Sequence, residues 1–344
     1  MEVIIRLKIV FFILFAISWN GAAGQDIQFS QFYGAPLYVN PAFAGSTHKT
    51  RLVLHQRIQW PKLDGKYITS LFSADTYFSK YRSGLGFQVY KDWQGSNTIN
   101  STDVSLSYSY EIFLTSKIVV RPGLQLGYIS RTLDYSDLAF SYQYDNNGNI
   151  APGFDNGKVK KQFMDLSTGA VIYTENLWVG FAANHLNTPN QSFINGEAPL
   201  PAKYSFTAGY QINFSRRLDQ STLQEEKQIS LIPTAHYKFQ GKSDQTDLGV
   251  YGVYDQLIAG FWYRGIPGLK RYKKGVQNNE SIVGLVGWKY NNLAITYSYD
   301  FIVSRLAPAR SGGAHEINLT YIFNKRKKIK PMRRMPCPHF YKSF

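Results

Sequence analysis

A single cysteine, Cys337, occurs in 344 residues. With no second thiol, an internal disulfide framework and a cysteine-built zinc cluster are both excluded. Charge is also sparse: Asp, Glu, Lys and Arg make up 18% of the chain, low for the surface of a soluble domain. Beyond the N-terminal leader no apolar run approaches the ~20 residues that a membrane-spanning helix needs. If the chain lies in a membrane it must cross as a closed barrel, the other structure that satisfies its backbone hydrogen bonds in lipid. Motifs that carry chemistry are missing too. The six histidines, His48, His55, His185, His236, His315 and His339, form no HxxxH or HExxH spacing. There is no GxSxG nucleophile elbow, no GxGxxG after a strand and no GxxxxGK[ST] phosphate loop. His315 and Glu316 are adjacent, but strand neighbours point to opposite faces, so a catalytic dyad is the weaker reading. The chain reads as a non-enzyme with no cofactor and no metal.

What is abundant is aromatic: 25 Tyr and 23 Phe help bring the aromatic share to 16%. At the start, Arg6 and Lys8 precede an apolar run from Ile9 to Ile17, followed by the small residues Ala22, Ala23 and Gly24. This is the layout of a signal peptide over 1–24, leaving Gln25 as the mature terminus; the run is short for a retained anchor. Many later segments alternate with a period of two. In 101–113, Val104, Leu106, Tyr108, Tyr110 and Ile112 share one face, with Ser105, Ser107, Ser109 and Glu111 on the other. The same division recurs in 203–214 and 293–301. Fourteen such segments can be counted between 49–59 and 314–323, an even number, as a single-chain outer-membrane barrel needs.

The expected fold is therefore all-β: a closed antiparallel transmembrane β-barrel of 14 strands over 49–324, with periplasmic N- and C-termini. Loop lengths agree, since the longer connections, such as 133–162 and 188–202, fall on one side and tight turns on the other. The exception is a charged insertion at 215–226 on the inner side. A soluble sandwich or propeller is the competing architecture, but faces this rich in Tyr and Phe suit lipid and its two interfacial belts better. The glycines of SGLG at 83–86 read as relief of crowding on one barrel face. Glu111, Arg121, Arg131, Gln211, Asp300, Glu316 and Asn318 are expected to face inward and to pair across a crowded interior rather than line a selective pore.

Within the stretch 25–48, the residues after Asp26 up to Gly45 are neither charged nor clearly periodic, and Pro41 limits continuation of either regular element. It reads as a periplasmic N-terminal segment that either plugs the barrel or, as the milder option, touches its rim. After the last strand, 325–344 holds Lys325, Arg326, Lys327, Lys328, Lys330, Arg333, Arg334 and Lys342 and no acidic residue. Such a periplasmic basic tail suits anionic lipid heads, or an acidic or peptidoglycan-associated protein. Nucleic acid would fit the charge but not the export signal.

Several pieces then carry a joint likeness: QFSQFYGAPLYVNPAFAG at 28–45, HQRIQWP at 55–61, RSGLGFQVYKDWQGS at 82–96, LQLGYISRTLDYSDLAF at 124–140, DLSTGAVIYTENLWVGFAANHLNTPNQSF at 165–193, LPAKYSFTAGY at 200–210 and GGAHEINLTYIF at 312–323. In this order they resemble the PorP/SprF family of type IX secretion and gliding-motility membrane proteins of Bacteroidota. The likeness spans about 25–324; 265–278 and the tail after Asn324 show no family signature. It implies an outer-membrane barrel attached to type IX secretion components. Some relatives assist export or surface attachment of a partner, often a large adhesin; others are tied to periplasmic core components. It implies no active-site residues. Asn40, Pro41, Gly45, Gln59, Trp60, Asp92, Gly95, His185, Leu186, Pro189, His315 and Glu316 match recurring family positions, expected to hold rim and loop geometry or to contact partners. A passive porin for small solutes is the alternative function.

Overall fold

The computed structural model describes residues 26–95, 98–136, 157–194, 196–214, 229–266, 278–304 and 311–323. The alternating segments form sixteen strand pieces: β1 (Thr50–Gln59), β2 (Tyr67–Phe78), β3 (Ser83–Gln94), β4 (Ile99–Tyr110), β5 (Ile112–Phe113), β6 (Val119–Asp134), β7 (Lys158–Tyr173), β8 (Leu177–Asn184), β9 (Lys203–Tyr210), β10 (Ile212–Asn213), β11 (Ile229–Gln240), β12 (Ser243–Tyr254), β13 (Leu257–Ile266), β14 (Asn278–Tyr290), β15 (Leu293–Ile302) and β16 (Ala314–Phe323). β5 and β10 merely continue β4 and β9 past Glu111 and Gln211, so the wall has 14 staves, as the sequence pattern predicts. Neighbouring staves pair antiparallel, and β16 closes on β1 from Gln59 opposite Ala314 to Thr50 opposite Phe323. Closure leaves no open sheet edge for lipid to face. No helix is long and apolar enough to cross a membrane among the described residues.

The two faces of the wall are those the alternation assigns. Leu106 is 62% exposed on the outside, while Ser105, Ser107, Ser109 and Glu111 are buried inside. Ile295, Tyr297 and Phe301 face outward and Thr296, Ser298 and Asp300 inward in the same way. The largest boundary change is at the connection expected over 133–162, because β6 and β7 pair out to Asp134 opposite Lys158. KVKKQ there is too polar on both faces to read as a lipid-facing strand, and its side chains alternate between exposed and half-buried. The insertion 215–226 and the basic tail, Lys325 to Lys342, lie outside the described residues.

Short turns at 79–82, 114–118, 174–176, 255–256 and 291–292 mark one end of the barrel. By the usual asymmetry of outer-membrane barrels this is the periplasmic end, where β16 also finishes. Of the two readings of the N-terminal stretch, the plug is the one found: it fills the lumen. Its first described residues lie not at the periplasmic end but at the opposite, long-connection end. Asp26 meets His185 just past β8, Lys203 at the start of β9 and Gln240 at the end of β11, all at that end. From there the chain descends to Lys49, where β1 begins at the short-turn end. Between Phe29 and Thr47 only Tyr33 and Tyr38 are less than fully buried.

Prolines shape this plug. Pro36 starts the four-residue helix α1 (Pro36–Val39), and Pro41 starts a 3-10 turn (Pro41–Phe43) capped by Asn40, whose Oδ1 accepts from the Ala42 amide at 2.9 Å. Phe32, Val39, Ala42 and Phe43 pack on Val171, Trp178, Tyr251, Trp262 and other inward apolar residues. A second group joins Phe29 and Ala35 to Val53 and Leu71. Each large apolar side chain so buried contributes roughly 1.5–3 kcal/mol relative to exposure.

The plug can lie flat on the wall because one rung is built of small residues. Gly84, Ser109, Gly123, Gly169 and Ala182 are successive partners across β3, β4, β6, β7 and β8. A Cβ at Gly84 would run into the Ala44 carbonyl, and one at Gly123 into the backbone of Pro41 and Ala42. The SGLG glycines thus relieve crowding, as expected, against the plug itself.

Two predictions test this architecture. In a Cys337→Ser background, Gln28→Cys is expected to react with a membrane-impermeant maleimide on intact cells; labelling only after the outer membrane is opened would show the reverse course. Gly123→Val should lift the plug from its seat at a cost of about 1–3 kcal/mol, read as a lower unfolding temperature with the barrel's β-sheet circular dichroism retained.

Candidate functional site

The lumen carries three polar clusters, each joining the plug to the wall. At the long-connection end, His185 stands between two carboxylates, Nδ1 2.7 Å from Asp165 and Nε2 2.8 Å from Asp26. Lys203 Nζ lies 2.7 Å from the same Asp26 oxygen. Burial disfavours the His185 charge, but Asp26 and Asp165 outweigh it and push its pKa up to about 9. For Asp26 burial works upward, yet Lys203 and His185 hold the carboxyl well below its ordinary value.

The middle cluster centres on Glu316. Its carboxylate accepts the backbone amides of Ser30 at 2.6 Å and Gln31 at 2.8 Å, together with Arg57, and lies 3.2 Å from His55 Nε2. Asp300 accepts from Ser30 Oγ at 2.5 Å and from Arg57 and Arg264 at 3.2 Å each, and Arg264 also donates to Asp247 and to the Phe29 carbonyl. The third cluster lies toward the short-turn end. Arg51 pairs with Asp75 at 2.7 Å, and Asp75 also accepts the Gly45 amide at 2.8 Å. Arg121 donates to the Ala44 carbonyl at 2.6 Å, while Glu111 takes Tyr77, Tyr173 and His48. Removing one member of such buried pairs typically costs 3–5 kcal/mol, because it strands the partner's charge.

Above Asp26 and Gln28, at the long-connection end, a cavity of about 630 Å³ remains. Gln59, Trp60, Tyr67, Tyr90, Asp92 and Arg131 contribute to its wall, and Arg57 and Asp300 reach its floor. Trp60 has a left-handed backbone (φ 57°), donates its amide to the Gly313 carbonyl at 2.8 Å, and packs edge-on to Tyr67 at 5.4 Å. Asp92 accepts from Thr69 Oγ1 at 2.5 Å and Gln94 Nε2 at 2.7 Å.

The singled-out residues therefore separate by place. Asn40, Pro41, Gly45 and Glu316 hold the plug; Asn40 Nδ2 also reaches the Phe181 carbonyl at 2.9 Å. Gln59, Trp60, Asp92 and His185 line the cavity. Gly95 (φ 59°) and Pro189, whose carbonyl accepts the Leu200 amide at 2.9 Å, shape long-end connections. Leu186 is exposed and His315 faces outward against Tyr297 and Tyr299. Of the residues expected to pair inside, Glu111, Arg121, Asp300, Glu316 and Asn318 do so. Gln211 instead sits half-buried in the link between β9 and β10 and donates to its neighbour Asn213, and Arg131 donates only to Gln191 among the described residues. Residue patterns alone did not mark Ser30, Gln31, Arg51, Arg57, Asp75 or Asp165 as parts of these clusters. For Arg51 and Arg57 the signal was present, since both lie on the polar face of β1.

The outer latch is a testable consequence of these charges. The His185 contribution is complete below its unfolded pKa of about 6.5 and is lost as pH rises through about 9; the Asp26 contribution is present above its unfolded pKa of about 4 and lost as pH falls below that. A spin label on Gln28→Cys, with Cys337→Ser, should be immobile at pH 6–7 and gain mobility as pH passes about 9. Adding His185→Asn should leave the label mobile at both pH values; a mobility independent of pH and of His185 would remove the latch.

No curated protein matches the chain. Among solved structures it is similar to the Pseudomonas putida toluene transporter TodX (10% identity, TM-score 0.47, covering 85% of this chain and 95% of that one). It is also similar to the Ralstonia pickettii toluene transporter TbuX (13%, 0.45, 85% and 94%) and to Acinetobacter baumannii Omp33 (9%, 0.43, 81% and 100%). The family described as "Type IX secretion system membrane protein PorP/SprF" matches residues 21–321, which takes in the plug, the rung beneath it and nearly all of the wall. With that match over a closed 14-stave barrel, the chain belongs to the PorP/SprF family, as a type IX secretion system protein of the outer membrane.

Proposed function

We propose that the barrel is a noncatalytic accessory of type IX secretion or gliding motility, which holds a partner protein for export, anchoring or attachment to the machinery. A large surface adhesin is the kind of partner this reading favours. The observation that carries it is the filled lumen. A solute porin needs a continuous water path, whereas here residues 29–47 occupy the interior and are tied to the wall by buried ion pairs and by their own amides. Work then falls to surfaces rather than to a pore. Long connections, such as 185–202, offer contacts on the cell exterior. On the periplasmic side the basic tail, Lys325 to Lys342, follows β16 and suits an acidic or peptidoglycan-associated protein and anionic lipid heads. The energy for any movement comes from elsewhere, since the sequence has no nucleotide-binding motif.

Two measurements separate this reading from a passive porin. Affinity purification from native membranes in mild detergent should recover type IX components or a large surface protein in near-stoichiometric amount. Purified wild-type barrel in planar bilayers should show no steady ohmic conductance. Stable open-channel steps from the purified protein, with nothing co-purifying under conditions that preserve known type IX assemblies, would favour the porin.

A further inference from the structure

We propose that the cavity at the long-connection end is a binding site for a short saccharide. Its wall is laid out by strand register. Thr69, Asp92, Ser101 and Arg131 form one rung, each the partner of the next across β2, β3, β4 and β6. Asp92 and Arg131 are two strand spacings apart, roughly 10 Å between backbones. Among the described residues neither has an ion-pair partner, and the Arg131 Nε lacks any hydrogen-bond partner although it is shielded from solvent. Asp92 is itself 3% exposed, a buried carboxylate whose hydrogen-bond donors are Thr69 and Gln94.

An acceptor-only group, Asp92, and a donor-only group, Arg131, thus stand on one rung of the cavity wall. Gln59, Gln94 and Gln191, which both donate and accept, stand around them. Each sugar hydroxyl also donates and accepts, and neighbouring hydroxyls match planar carboxylate, guanidinium and carboxamide groups in pairs. The apolar C–H faces of the rings need flat aromatic partners. Trp60, Tyr67 and Tyr90 supply these, half-buried on the same wall, with Trp60 fixed by its left-handed backbone and its edge contact to Tyr67. At about 630 Å³ the cavity has the size of small-ligand sites, and a folded protein surface needs a far broader contact than it offers.

The site is independent of the docking role proposed above, and the full mature chain in detergent or nanodiscs tests it. The probes are maltotriose, cellotriose, triacetylchitotriose and O-polysaccharide released by mild acid from the producing cells, followed by saturation-transfer NMR and titration. At least one should bind. Asp92→Asn and Arg131→Gln should each weaken it about tenfold or more, as loss of a charge-assisted hydrogen bond implies, with heat-modifiable gel mobility showing the barrel still folded. Equal affinity for trisaccharide and polysaccharide would identify a free sugar as ligand, and much tighter polysaccharide binding the end of a surface chain; both support the site. Absence of binding by every saccharide, or binding that neither substitution changes, would overturn it. So would a Gly/Ser/Asn decapeptide that binds in place of the saccharides and is weakened by the same substitutions.

Discussion

The carboxylate of Glu316 receives two backbone amides of the plug, while Arg57 and His55 approach it from the wall. A barrel of 14 staves has inward charges that must meet water or protein, and water inside would leave a pore. Here the plug's own N–H groups, at Ser30, Gln31 and Gly45, complete the coordination of Glu316 and Asp75. In turn those carboxylates satisfy amides of an irregular segment that has no sheet to pair with. Wall and plug therefore need one another: without the plug the carboxylates lose partners, and without the carboxylates the plug carries unpaired backbone in a buried place.

The same mutual fit explains the composition. Backbone can approach a wall to hydrogen-bond distance only where the wall lacks side chains, and the rung from Gly84 to Ala182 provides that bed. Asn40 sits over it with both ends of its amide engaged, capping the Pro41 turn with one and reaching the Ala170 and Phe181 carbonyls with the other. In sequence, NPAFAG and the scattered glycines of β3, β6 and β7 look unrelated. In the structure they are two sides of one contact.

The wall was legible because lipid imposes a simple rule. An outward apolar face and a mostly polar inward one give a period of two along most staves; on β12, β13 and β14 the inward face is itself apolar, with Tyr251, Val253, Ile258, Trp262, Val283 and Leu285 buried against the plug. The plug obeys no such period: its side chains contact different staves at each step, so nothing in its own sequence repeats. Its entry point was hidden for a related reason. Residues 25–48 precede β1, and adjacency in sequence suggests adjacency in space, yet the segment needs the length of the lumen to bury Phe29, Phe32, Leu37 and Phe43. The pairing of His185 with Asp26 was likewise invisible, since 159 residues separate them. The start of β7 hides in the sequence because Lys158, Lys160 and Lys161 look like loop residues, although they stand on a strand that continues beyond the apolar band.

The two ends of the lumen have opposite characters, and that asymmetry follows from the direction of the plug. Toward the periplasm, Val39, Ala42 and Phe43 lock into the apolar cluster with Val171, Tyr173 and Trp178, and Glu111 gathers His48, Tyr77 and Tyr173 beside it. Toward the exterior, the polar Asp26 and Gln28 among the plug's first described residues border open volume. A molecule entering from outside thus meets a polar recess with a closed floor. The residue that fastens this floor, His185, is followed directly by Leu186, which is exposed on the outer surface with its amide on the Leu166 carbonyl. One step along the chain therefore connects the anchor of the plug to the surface that a neighbour in the membrane or at the cell surface would touch.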